Sequence, residues 1–505
     1  MDDMKNINQQ RTANGPSFAA GTNCGTVPVY CTSSAMSSVL RTGDRSRSVP
    51  CGIQSLGGDF KLRPPSTLAR VFVCMLGVGS LFCQLKPAAA QTLLLSGATV
   101  HTVTGETLSP GKVLIRDGKI VAVATTLATG GAQTVDLTGQ HLYPGLIALN
   151  TVLGLTEIGA VRSTQDNTES GDYTPDVESW IAVNPDSELI PVARANGIAY
   201  FEPVPEGAVV SGQSGLVGVE GWTSLERTLK GPIALHVFWP SADLDLTPKE
   251  RVRGKDKLKS LEEQAKDRRA KLRGLTEFFS EAAAYAKAKA AGAKNAVPEK
   301  IPAWEAMLPY VNGELPIIVH ADDVRQIRAA VNWAASNRYK IVLADARDAW
   351  MEAELLAEKK VPVIYSHVFT LPPQDSEGYD VQYRAPAVMQ KAGVQVVFGN
   401  GLSTMDAALT KNLPYLAAQA VAFGFPASEA LKGITLYPAQ IAKVADRLGS
   451  IEPGKDATLF TADGDILDIR SHVTRMWVAG KDVTLESRHT RLYKKYRERP
   501  LNRLK

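Results

Sequence analysis

Leu315-Pro316-Ile317-Ile318-Val319-His320-Ala321-Asp322 reads as a short apolar strand, Ile317–His320, that runs into polar side chains at its C-terminal end. Short apolar runs bounded by turn signals fit strands covered on both faces. Runs of the same kind lie on either side of it: Leu146–Asn150, Ile198–Phe201, Gly215–Val219, Ile233–Phe238, Ile341–Asp345, Val361–Tyr365 and Val394–Phe398. Eight strands alternating with helices over 141–448 predict an α/β fold, a (β/α)8 TIM-like barrel with insertions. A doubly wound open sheet is the second arrangement that fits the alternation.

Working outward, residues 93–140 read as short strands: Leu93–Leu95, Ala98–Val103, and Val113–Arg116 paired with Lys119–Val123 across Asp117-Gly118. Ala457–Thr461, and Val473–Val478 joined to Val483–Leu485 across Gly480-Lys481, repeat the pattern near the other end. The two clusters predict a small composite β-sandwich from 91–140 and 449–485, flanking the barrel of 141–448. Within the barrel, 247–291 is a helical insertion. Thr247-Pro248-Lys249-Glu250 has the form of a helix start, and Leu258, Leu261, Ala265, Leu272, Leu275 and Phe279 follow on a helical stripe. The mixed charges of its other face are those of a solvated surface. The basic tail 486–505 interleaves Leu492, Tyr493 and Tyr496 and predicts a docking helix.

The chain has 505 residues, a formal net charge of +4, 44% hydrophobic and 21% charged residues, which excludes collagen, coiled-coil and wholly disordered classes. Residues 1–90 hold nine Lys+Arg, four acids and all five cysteines, leaving 47 basic and 48 acidic groups beyond them. The body is therefore balanced in charge, which implies no nucleic-acid partner. It has no thiol, so it has no disulfide, zinc–thiolate site or cysteine nucleophile. Lys61, Arg63 and Arg70, then the apolar run Val71–Cys83, then Ala88-Ala89-Ala90 have the order of a secretory signal peptide cut after Ala90. Residues 61–90 are read as that signal and 1–60 as a disordered or mis-started extension. The expected location is periplasmic or extracellular, with no stable membrane insertion after cleavage.

The Arg116-Asp117-Gly118-Lys119-Ile120 hairpin, Tyr143-Pro144-Gly145-Leu146-Ile147, Leu315–Asp322, Ala430–Ala439 and Leu448–Ala457 together resemble the amidohydrolase superfamily, in its secreted imidazolonepropionase-like branch. The resemblance implies a metal-dependent barrel with a small β-sandwich and the hydrolysis of non-peptide carbon–nitrogen bonds, such as those of cyclic amides or imines. It also locates the departures. Where the family has a His-x-His pair on the first barrel strand, this chain has Asn150-Thr151-Val152. The fifth-strand histidine matches His320, the sixth-strand one falls near Ala344-Asp345, and Asn400 is the closest residue to the eighth-strand aspartate.

His236, His320 and His367 sit on or just after the fourth, fifth and seventh predicted strands, whose C-terminal ends share one mouth. These three are the candidate metal ligands, for one divalent ion with zinc first; packed histidines and no metal are the alternative. Asp345, Asn150 and Asn400 are the catalytic candidates, Asp345 as acid–base. Glu157, Arg162, Asp166, Glu169 and Asp172 form a polar loop that is a lid or a solvated surface. Ser211-Gly212-Gln213-Ser214-Gly215 reads as a tight turn. Trp222, Trp239, Trp304 and Trp350 are pocket or core. A small-molecule hydrolase and a catalytically silent relative that binds a ligand or pairs with an active subunit, as a homo- or hetero-oligomer, are the two functions in play.

Overall fold

The computed structural model describes residues 92–128, 130–207, 209–247, 259–292 and 299–499, so the expected extension and signal segment lie outside the described residues. Strands from both ends interleave in one sheet. Its members are β1 (Thr92–Val100), β2 (Leu108–Arg116), β3 (Lys119–Ala124), β4 (Gln133–Asp136), β5 (His141–Pro144), and, after the barrel, β14 (Leu459–Ala462), β15 (Val473–Val478) and β16 (Lys481–Val483). The order is β16-β15-β14-β5-β1-β2-β3, with β4 also on β1. Antiparallel pairing of β14 with β5, Leu459 opposite Pro144 and Ala462 opposite His141, is the seam between the two sequence clusters. Leu95, Val100, Val113, Ile115, Leu142 and Trp477 bury their side chains in a core of the sheet's own.

On this sheet His101 stacks on Tyr143 with ring centroids 4.2 Å apart, and its Nε2 lies 3.0 Å from His141 Nδ1. Burial, and then the neighbouring His141, push the His101 pKa down from 6.5 to about 4. The unfolded chain therefore binds this proton at a higher pH than the folded one does, so the His101 contribution is intact above pH 6.5 and is lost as pH falls toward about 4. His101→Asn should flatten that part of the stability profile, measured as thermal midpoints between pH 7 and about 4.

The second sheet closes on itself. It runs β6 (Leu146–Thr151), β7 (Ile198–Pro203), β8 (Val210–Gly218), β9 (Thr228–Phe238), β10 (Ile317–Ala321), β11 (Ile341–Asp345), β12 (Val363–Tyr365) and β13 (Val396–Phe398), each bonded to the next. A bridge from Leu149 to Gly399 joins the last strand to the first. This is the expected barrel, not the open sheet.

Its third strand differs from expectation. β8 spans Val210–Gly218 and runs antiparallel to both β7 and β9. The physical reason is connection length: residues 204–209 are too few to cross back for a parallel strand, which needs a dozen or more. The supposed tight turn Ser211–Gly215 is therefore the interior of a buried strand. Its glycines admit close neighbours. A Cβ on Gly212 would stand 2.8 Å from the Val177 Cβ, and one on Gly215 would stand 2.9 Å from Trp180 Cγ. Gly215→Ala should cost about 1–3 kcal/mol by overpacking against Trp180, read as a lowered denaturant midpoint with an unchanged slope.

The insertion forms a helix over Leu261–Ala290, but it starts at Ser260, whose hydroxyl and Glu263 make a reciprocal capping box. Thr247 instead takes an Asp245 carboxylate on its backbone N–H in a turn, and the rest of the expected start, 248–258, lies outside the described residues. Leu275 and Phe279 are buried as the stripe predicts, whereas Leu261 is exposed. The tail helix, Arg488–Arg497, is capped by Ser487 and buries none of its side chains. Among the described residues no helix is long and apolar enough to cross a membrane.

Candidate functional site

At the C-terminal ends of the barrel strands, five residues come together in a circuit. Asn150, near the end of β6, sits fully buried with φ of 57°, a left-handed conformation that short amide side chains tolerate better than most. Its backbone N–H donates to Glu202 Oε2 at 3.1 Å, and its Nδ2 donates to Asp345 Oδ1 at 2.8 Å and to Ser366 Oγ at 3.1 Å. Glu202, on β7, also accepts from Ser214 Oγ on β8 at 2.7 Å. His236 on β9 brings Nε2 to 3.4 Å from Glu202 Oε1, an ionic contact too long and off-line for a good hydrogen bond. The other face of that ring, Nδ1, is 3.0 Å from His320 Nε2 on β10. His320 Nδ1 then lies 2.9 Å from Asp345 Oδ2 on β11, which returns the circuit to Asn150.

Burial works to raise the pKa of Glu202, but His236, the Ser214 hydroxyl and the Asn150 amide together outweigh it and hold the carboxyl below its ordinary range. Burial likewise opposes ionisation of Asp345, and His320, Asn150 and the charge of His367 overcome it. For His236 burial dominates and lowers the pKa despite Glu202. Two carboxylates thus stay ionised in a nearly dry site. The backbone there is strained as well: Asp345 and Ala346 have φ of 65° and 58°, and such conformations persist only where their surroundings over-determine them. Glu202→Ala should cost about 1–3 kcal/mol, because it leaves the Ser214 hydroxyl and the Asn150 backbone N–H buried without their acceptor; urea unfolding measures it.

The structure brings together Asn150, His236, His320 and Asp345 of the residues singled out from sequence. His367 stands apart from the other two histidines: its Nε2 is 2.8 Å from Asp322 Oδ1 and its Nδ1 3.3 Å from Thr370 Oγ1. Asn400 donates its amide to the Leu409 carbonyl at 3.0 Å and takes no part in the circuit. In the loop after β6, Arg162 bonds back to the Gln165 carbonyl, while the neighbouring Asn167 donates to Glu206 Oε1 at 2.7 Å. Burial raises the pKa of Glu206. Two clefts open on this side, one of about 330 Å³ beside Phe238 and Trp239 and one of about 380 Å³ between Asp166 and Pro205. Trp222 is on the surface, whereas Trp239 packs edge-on against Trp333.

Glu202, Ser214 and Ser366 escaped the sequence reading. Glu202 carried a usable signal, an acid one residue beyond the apolar run Ile198–Phe201, the same pattern that marks His320 and Asp345.

The divalent metal that the family likeness implies does not fit these donors. Both nitrogens of His320 and one of His236 are engaged within the circuit. The atoms left without hydrogen-bond partners there are Asn150 Oδ1 and His236 Nε2, two donors on different strands where a catalytic zinc takes three. Among the described residues no three His, Cys, Asp or Glu side chains come together in a way that could hold a metal ion.

Residues 309–485, about a third of the chain, match the amidohydrolase family. No curated protein matches the chain. Among solved structures, an amidohydrolase from Thermotoga maritima MSB8 is 26% identical with a TM-score of 0.68, over 78% of this chain and 99% of that one. A prolidase complexed with N-methylphosphonate-L-proline is 17% identical with a TM-score of 0.48, over 78% and 99% of the two chains. An adenosine deaminase from Xanthomonas campestris with bound zinc is 17% identical with a TM-score of 0.45, over 80% and 97%. Residues 309–485 thus resemble the amidohydrolase family, and the barrel with its small sheet is similar to the fold of the Thermotoga amidohydrolase.

Proposed function

We propose that this chain is a hydrolase of non-peptide carbon–nitrogen bonds in small molecules such as cyclic amides or imines. The observation that carries the reading is Asp345: an ionised carboxylate at a barrel strand end, fixed by His320 and Asn150, with 21% of its side chain open. Geometry fixed by donors and access to solvent suit a general base, while the donors that keep Asp345 charged also lower its basicity. Asp345 takes a proton from water as the oxygen bonds to the carbonyl or amidine carbon. The carbon–nitrogen bond then breaks as Asp345 passes that proton on to the leaving nitrogen, which restores the carboxylate. The family domain and the Thermotoga likeness support the reaction class.

We also place the protein outside the cytoplasm, on the order of basic, apolar and small residues in 61–90. A second reading, a silent relative that binds a small ligand, is favoured by Asn150 and Val152 standing at the first-strand positions.

A panel of cyclic amides, imines and ureas separates the two. Turnover by the wild type that falls about 10²–10⁴-fold in Asp345→Asn, with KM little changed, is the expected result. Saturable binding without turnover of any member would establish the silent relative instead.

A further inference from the structure

The helix Arg488–Arg497 is well formed yet covers nothing: Ser487 and Thr490 cap it reciprocally, and none of its side chains is buried. At ~100° per residue, Leu492, Tyr493 and Tyr496 share one face. Tyr493 is 67% exposed and Tyr496 62%, although aromatic rings carry much of the apolar area that a fold normally covers. Cations edge this face, with Lys495 lying 5.7 Å from the Tyr496 ring centre and Arg497 6.0 Å from that of Tyr493. Among the described residues, only one cation of the helix meets a carboxylate, Arg491 with Glu188 at 3.3 Å. Its remaining charge is open to a partner.

Residues 488–505 carry eight Lys+Arg against the single acid Glu498, whereas 91–487 carry 39 against 47. An anionic surface therefore attracts this end of the chain and repels the rest, which orients the approach. A second exposed apolar pair, Trp222 at 90% and Leu225 at 81%, lies near the base of the helix. Arg194 ties the two places together: it pairs with Glu220 and donates to the Glu486 carbonyl at 3.5 Å. Three side chains on the helix and two on the turn are too few for the roughly 800 Å² that each side of a stable protein interface covers. Lipid headgroups ask for no matching shape. Each cation near them adds its attraction separately, and tyrosine and tryptophan rings settle at headgroup level.

We propose that the helix Arg488–Arg497 holds the protein reversibly against an anionic lipid surface. Leu492, Tyr493 and Tyr496 lie at the headgroups, and the lysines and arginines beside them meet the lipid phosphates. The contact stays at the surface, since among the described residues no helix is long and apolar enough to cross a membrane. This goes beyond the hydrolase reading and does not depend on it.

The full chain is sedimented with vesicles of phosphatidylcholine alone and of phosphatidylcholine mixed with phosphatidylglycerol. It should bind the mixed vesicles far more tightly, and added salt should weaken that binding. Lys494→Gln together with Lys495→Gln should lower the partition coefficient about 30-fold, which is about 1 kcal/mol per charge removed. Tyr493→Ser together with Tyr496→Ser should lower it too, at low and high salt alike. Every variant keeps residues 1–90, so the differences between them report the helix. All four side chains are exposed, so thermal midpoints should match the wild type. Equal binding to the two kinds of vesicle, binding to neither, or binding unchanged in the lysine variant would overturn the proposal. A dimer that forms without lipid and is lost in the lysine variant, with vesicles left unbound, would assign the helix to a second copy of the chain instead.

Discussion

Asn150 joins two acids, the buried Glu202 and the partly open Asp345, that would otherwise repel each other, and the mouth of the barrel depends on that join. One residue donates from its backbone to Glu202 and from its side chain to Asp345, which is possible only because its backbone turns left-handed at the strand end. An unpaired buried carboxylate costs several kcal/mol, so the rest of the site is organised around satisfying these two. Ser214 serves Glu202, His320 serves Asp345, and His236 lies between the two systems.

The antiparallel excursion of β8 matters to this arrangement. A short reversal after β7 puts Ser214 beside Glu202, and a second reversal returns β9 parallel to β10 with His236 beside His320. Trp180 secures the excursion from outside by packing where Gly215 and Gly231 carry no side chains. A barrel with a helix between each of these strands would have no equivalent placement for Ser214. The local departure from the regular fold and the polar ring are therefore two views of one construction.

Much of the architecture was legible from sequence because apolar runs of strand length, spaced by helices, have few ways to pack. All eight barrel strands overlap such runs, though β8 starts at Val210 and takes in the segment read as a turn, and β14 joins β5 as the two flanking clusters imply. Direction was not legible in the apolar residues of β8, since a buried strand looks alike read either way; the short connection at 204–209 held that information. Individual members of the site were visible as polar residues closing apolar runs, but their mutual contacts were not. Whether His320 meets His236 or His367 is set by strand adjacency and ring orientation, which no spacing encodes. Asn400 shows the same limit: it stands near a strand end, yet its amide is consumed by a local carbonyl.

An amide, two imidazoles and two carboxylates meet one another here, and among the described residues no three His, Cys, Asp or Glu side chains are placed to hold a metal ion. The consequence is simplest to see in the composition of the protein itself. Elemental analysis of the full chain, purified without chelator after growth with zinc, manganese and iron supplied, should find metal only at background. About one equivalent of bound metal, lost on His320→Ala, would contradict the account and return the site to metal chemistry.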